Sequence, residues 1–190
     1  MKKLIRRILR FPFELTKRAG LVFEKVKIPF SCRLNGRIHI VNRGKINIGE
    51  GCVFNGANKY NPIGFAGPCN IIAERGAVIK IGDNCGMSAA TIYARSSVTI
   101  GDRVLIGGGV KIYDTDFHSL DYKLRGTFED KANTKNSSVV IEDDVFIGAG
   151  SFVLKGVHIG KCAIVGAGSV VTKDIPEGEI WAGNPAKRIK

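Results

Sequence analysis

His118 is the side chain in this sequence best suited to moving a proton, and it stands among carboxylates in the run YDTDFHSLD, residues 113–121. An imidazole titrates near neutrality, so it can take a proton from an alcohol, while a neighbouring carboxylate fixes its tautomer and stabilises the imidazolium that results. By spacing alone the candidate partners are Asp114, Asp116 and Asp121. Asp114 and Asp116 read as members of a catalytic group with His118, and Asp121 equally well as a contact to a substrate. A solvated loop histidine is the alternative.

The other reactive side chains are placed less suggestively. His158 ends the hexad VLKGVH and so faces an outward corner, and His39 lies in an early apolar run, so both read as solvated or structural. Three histidines with no close pair around His118 make a three-histidine metal centre hard to build, and no metal is expected. Cys32, Cys52, Cys69, Cys85 and Cys162 are odd in number and form no CxxC pair, which excludes a zinc ribbon and suits a reducing compartment. Cys85 and Cys162 fall inside the repeat described next, where a thiol serves as a small apolar filler.

What must position His118 is that repeat. From residue 141 the chain reads IEDDVF, IGAGSF, VLKGVH, IGKCAI, VGAGSV and VTKDIP, six hexads headed by Ile141, Ile147, Val153, Ile159, Val165 and Val171. Their fifth positions, Val145, Ser151, Val157, Ala163, Ser169 and Ile175, are all small or apolar. An earlier block carries the same pattern at residues 81, 87, 100, 106 and 112, with a 13-residue step from Met87 to Ile100 that reads as one inserted residue. Fainter traces lie at residues 46–56 and 37–42. Two inward positions in six describe a short flat strand ending in a corner, and three such sides close one coil of a triangular solenoid. The 24 glycines, about twice the usual share of roughly 7%, suit a chain with so many corners. The period does not set the hand of the coil, since parallel crossovers in general are right-handed in about 98% of cases.

Between the hexads at Ile112 and Ile141 lie 29 residues, which is no multiple of six, so a segment is looped out. Residues 119–138 are polar and aperiodic, and loops longer than about 12–15 residues in compact domains are functional or disordered. Being pinned at both ends by coils, this one reads as a functional arm with His118 at its root.

The hexads resemble the [LIV]-[GAED]-x-x-[STAV]-x signature of the hexapeptide-repeat acyltransferases over roughly residues 34–190. The run DTDFHSLD is similar to that of members acting on capsule, exopolysaccharide or lipopolysaccharide sugars. The resemblance implies a mainly β chain, a left-handed parallel β-helix over 34–176 with the arm protruding at about 119–138 and a C-terminal cap at 177–190, and the residues before it read as a basic amphipathic helical segment at 1–33. It implies an acetyl-CoA-dependent O-acetyltransferase with His118 as general base, acting on a sugar hydroxyl in bacterial surface polysaccharide or glycan-precursor synthesis. It further implies a homotrimer with active sites between subunits. Acetyl-CoA would then lie along Ala149, Ala167, Thr172 and Lys173, with the Ala149 amide as oxyanion donor. Lys187 and Lys190, with Arg188 as a third cation, would meet its phosphates, and Trp181 would either cap the coil or meet adenine. Galactoside- and maltose-type members carry an asparagine near the acceptor one coil before the histidine. Here that stretch reads Gly86, Met87, Ser88, Ala89, so their acceptor specificity does not transfer and Ser88 is the polar candidate. N-acylation of an amino sugar, a γ-carbonic-anhydrase-like metal enzyme and a non-catalytic scaffold stay open as alternatives.

The net charge of +12 is concentrated at the start, where residues 1–27 hold nine Lys or Arg against two Glu. On a helical wheel residues 2–11 separate an apolar arc from a basic one, which suits either peripheral contact with an anionic membrane or a cap on the open end of the coil. The sequence has no run of 18 apolar residues and no secretory signal pattern, which points to a cytoplasmic protein. Aromatic residues do not interleave with the basic ones, and nucleic acid is not an expected partner.

Overall fold

The computed structural model describes residues 25–190. The basic segment expected over residues 1–33 therefore lies, for residues 1–24, outside the described residues. From residue 25 to residue 32 the chain passes through turns and open backbone, and Val26 and Ile28 are buried against the first coil. No helix among the described residues is long and apolar enough to cross a membrane.

Short strands stack into three sheets. The first runs through Arg33–Gly36, Val53–Gly56, Gly86–Ser88, Leu105–Ile106, Phe146–Ile147, Ile164–Val165 and Ile180–Gly183, all parallel, and ends in the antiparallel Ala186–Arg188. The second contains Ile38–Asn42, Cys69–Ala73, Thr91–Ala94, Lys111–Tyr113, Phe152–Val153 and Val170–Val171. The third contains Lys45–Ile48, Val78–Ile81, Ser97–Ile100, Val139–Ile141 and His158–Ile159. The chain visits the sheets in rotation, so each circuit is one triangular coil and each sheet one side.

The hexad heads explain why. Leu34, Phe54, Met87, Ile106, Ile147 and Val165 stand in register up the first sheet. Ile40, Ile71, Ile92, Ile112, Val153 and Val171 do so up the second, and Ile48, Ile81, Ile100, Ile141 and Ile159 up the third. All point into one continuous core. Each fully buried aliphatic side chain contributes about 1.5–3 kcal/mol, which a single coil could not collect without neighbours above and below. Ser151 and Ser169, polar residues at inward corners, are wholly buried and donate to Gly166 O at 3.0 and 2.6 Å.

Three departures from the regular coil matter. The 13-residue step from Met87 to Ile100 is not one inserted residue: Ile92 aligns with Ile112, so the corner after the first sheet is one residue short and the next is two residues long. Residues 57–68 form a second insertion at the corner between first and second sheets, and it folds back over that corner. Cys162 is not a core filler, because it stands exposed at a corner with φ 59°, whereas Cys85 is buried and donates to Gly101 O at 3.1 Å.

Candidate active site

His118 leaves the coil at the corner between the second and third sheets. Thr115 and Asn136 close the base of the arm as an antiparallel bridge, and Asp116 N donates to Lys135 O at 3.1 Å. Phe117 then turns through φ 65°, an uncommon conformation for an aromatic residue. Its ring offsets that cost by packing 5.0 Å from both Tyr93 and Tyr113 on the outer face of the second sheet. The turn presents His118 with its side chain 67% exposed.

The carboxylate that holds His118 is Asp130. Its Oδ2 lies 2.7 Å from His118 Nδ1, Ser119 N donates to its Oδ1 at 2.6 Å, and Gly126 N donates to its Oδ2 at 3.0 Å. The Ser119 amide, the His118 ring and the Gly126 amide together hold the carboxyl well below the usual range, so it stays ionised. With Nδ1–H given to Asp130, Nε2 keeps its lone pair, the tautomer a general base requires.

None of the three carboxylates chosen by spacing partners His118. Asp114 is fully buried and accepts Arg95 N at 2.8 Å and Ser96 N at 2.6 Å, so it braces the long corner of the coil below, and burial pushes its carboxyl up. Asp116 pairs with Lys155 of the next coil at 2.8 Å, which ties down the backbone carbonyl that accepts His118 N at 2.8 Å. Asp121 accepts Lys123 N at 2.9 Å within the arm. Asp130 escaped the sequence reading because it lies twelve residues on, inside a segment with no period.

Ser88 is almost completely buried and accepts Asn61 Nδ2 at 2.8 Å and Asn55 Nδ2 at 3.2 Å. Asn61 comes from the 57–68 insertion, so this coil does carry an asparagine beside the serine, supplied from outside the repeat.

Ala149 and Ala167 stand one coil apart at the corner between first and second sheets, where His118 is not. At that corner Gly148 and Gly150 donate to Val165 O and Gly108 O, and Gly166 and Gly168 to Trp181 O and Ala149 O, but no carbonyl among the described residues takes the N–H of Ala149 or Ala167. Thr172 and Lys173 are exposed at the same corner line as His118, and Lys187 and Lys190 are exposed on the terminal hairpin. Arg188 is committed to Glu179 at 3.1 Å, and Trp181 donates to Glu179 at 2.7 Å while packing on the core, the capping role. His158 pairs with Glu142 at 2.8 Å, which suits a structural role. Among the described residues no group of three or more His, Cys, Asp or Glu converges to hold a metal ion.

Residues 78–113 and 138–173 match the family model described as the hexapeptide repeat of succinyl-transferase. Those two stretches are hexapeptide repeats. The chain is 43% identical over 93 residues to a putative acetyltransferase, C18B11.09c, of Schizosaccharomyces pombe, covering 49% of this chain and 42% of that protein. It is 59% identical over 54 residues to a 2,3,4,5-tetrahydropyridine-2,6-dicarboxylate N-acetyltransferase of Staphylococcus aureus, covering 28% and 23%. The chain thus spans less than half the length of these curated relatives. Among solved structures, the hexapeptide-repeat acetyltransferase VCA0836 of Vibrio cholerae O1 biovar eltor, complexed with acetyl coenzyme A, is 29% identical with a TM-score of 0.54, covering 84% of this chain and 67% of that one. The polySia-specific acetyltransferase NeuO shares the fold at 24% identity and a TM-score of 0.65, covering 87% and 68%.

In a hexapeptide-repeat protein the three-sided coil winds left-handed, the hand that the repeat and these neighbours carry. The coil assigns His118 and the small-residue corner to different edges of the chain, with the outer face of the second sheet between them.

Proposed function

We propose that this protein is an acetyl-CoA-dependent O-acetyltransferase acting on a sugar hydroxyl of a bacterial surface polysaccharide or glycan precursor. The observation that carries the reading is the His118–Asp130 pair, 2.7 Å apart, at the root of an arm on a hexapeptide coil. His118 Nε2 accepts the hydroxyl proton as the oxygen attacks, and returns that proton to the departing sulfur. Asp130 keeps Nδ1–H directed away from the substrate and stabilises the imidazolium. Acetyl-CoA supplies the acyl group as a thioester. The N–H groups of Ala149 and Ala167, which no carbonyl among the described residues takes, lie on a corner of small residues that suits a thin extended donor, and the Ala149 amide would receive negative charge on the carbonyl oxygen. Thr172, Lys173, Lys187 and Lys190 would flank the rest of the donor. The acetyl coenzyme A in the V. cholerae structure supports this choice of donor.

A histidine 67% exposed in one chain cannot exclude water alone, and the donor corner lies on another edge of the same coil. Both facts support a homotrimer in which the histidine of one subunit meets the donor corner of the next. The acceptor class rests on the resemblance of DTDFHSLD to glycan-modifying members.

The test is an acceptor screen by mass spectrometry with acetyl-CoA, together with thiol release. His118→Ala should lower acceptor-dependent transfer by about 10²–10⁴-fold. Transfer that survives the substitution would sink the reading. The S. aureus N-acetyltransferase favours a second reading, N-acylation, for which an amino sugar would be the acceptor here. Mild alkali separates the two, because an ester product is cleaved and an amide is not.

A further inference from the structure

The twelve residues 57–68 follow Gly56 and lie over the corner between first and second sheets, upstream of Ala149. A Cβ placed on Gly109 would stand 2.2 Å from Phe65 Cδ1, one on Gly108 would stand 2.6 Å from Ile63 Cδ1, and one on Gly150 would stand 3.3 Å from Phe65 Cζ. One coil further on, a Cβ on Gly168 would meet nothing within 4 Å. Burial follows the same gradient: Gly108 and Gly109 are buried, Gly150 is half-buried, and Ala167 and Gly168 are exposed. The corner is therefore bare from the C-terminal end as far as Ala149 and Gly150, and beyond that point two apolar side chains cover it.

The sequence of the corner reflects this seat. Ile106 aligns with Ile147, so Gly108 occupies the register position of Ala149, and the hexad reads IGGGVK where the next coils read IGAGSF and VGAGSV. An alanine methyl at residue 108 would collide with Ile63. Ile63 and Phe65 remain 49% and 39% exposed, more than core duty would leave them, and Asn61 anchors the loop to Ser88 at 2.8 Å. An acyl group whose thioester carbonyl sits at the Ala149 amide, and which extends upstream along the corner, meets the Phe65 ring.

We infer that Phe65, seated with Ile63 on Gly108 and Gly109, closes the upstream end of the donor groove and restricts transfer to short acyl chains. The inference rests on reading this corner as the path of the acyl donor. It is tested with the full chain and a series of acetyl-, butyryl- and hexanoyl-CoA, with CoA binding to the wild type measured separately by calorimetry. Wild type should favour acetyl-CoA, since a misfit methylene in a closed pocket costs about 10-fold or more in kcat/KM. Phe65→Ala should raise the hexanoyl-to-acetyl ratio by about tenfold or more, and Phe65→Leu by less. An unchanged ratio in Phe65→Ala, with CoA bound by the wild type, overturns this inference and leaves the donor path standing. Failure of the wild type to bind CoA overturns both.

Discussion

Asp130 accepts three hydrogen bonds, from His118, Ser119 and Gly126, and so links the orientation of one imidazole to the folding of the arm around it. An asparagine has one acceptor oxygen where the carboxylate has two, so it could serve the Ser119 amide or the Gly126 and His118 side but not both, and it would offer His118 no charge. Asp130→Asn should therefore lower kcat by about 10²-fold or more while leaving KM for donor and acceptor close to wild type. The ¹⁵N chemical shifts of the His118 ring should show the Nδ1–H form giving way to a mixture. A fall in KM-dependent terms alone, with the ring tautomer unchanged, would mean that Asp130 serves only the arm. Spacing pointed to Asp114 and Asp116, which instead brace the coil, Asp114 through Arg95 and Ser96 amides and Asp116 through Lys155. They were good candidates chemically; the fold simply needs their charge elsewhere.

At the scale of the coil, the flat stack leaves little room between successive corners. Gly148 has a negative φ that any residue tolerates, yet a Cβ there would stand 2.4 Å from Ala167 N, and backbone cannot step aside. Gly86 lies instead at the start of a strand, where its Cβ would meet only the end of the Leu105 side chain at 3.2 Å. Gly148→Ala should cost about 1–3 kcal/mol by overpacking, and Gly86→Ala well under 1 kcal/mol, as measured by denaturant unfolding. Equal losses at the two sites would mean that flexibility, and not clearance between coils, decides which corners need glycine. The hexad heads and fifth positions were legible because the inside of a flat strand is a local property that repeats along the chain. The 57–68 insertion was not, since the pattern before residue 78 is too faint to show where it is broken.

For the whole molecule the proposed trimer makes a relation between subunits decisive. If His118 of one subunit serves the donor corner of the next, two defective chains can repair each other. His118→Ala chains mixed with Ala167→Trp chains, unfolded and refolded together, should regain about a quarter of wild-type activity, because in random trimers that fraction of sites pairs an intact histidine with an intact corner. Each variant refolded alone should stay inactive. No recovery in the mixture would place histidine and donor corner within one subunit, or leave the chain without a subunit-bridging site.

The sequence by itself determined the triangular coil, the place where it is interrupted and the imidazole at the interruption, because each of these is written in residues a few positions apart. Only the tertiary structure decided which carboxylate reaches that imidazole, which corner carries the uncommitted amides and what covers that corner upstream. Those are contacts between an aperiodic loop and a distant coil, made by hydrogen bonds and close packing that no repeat records.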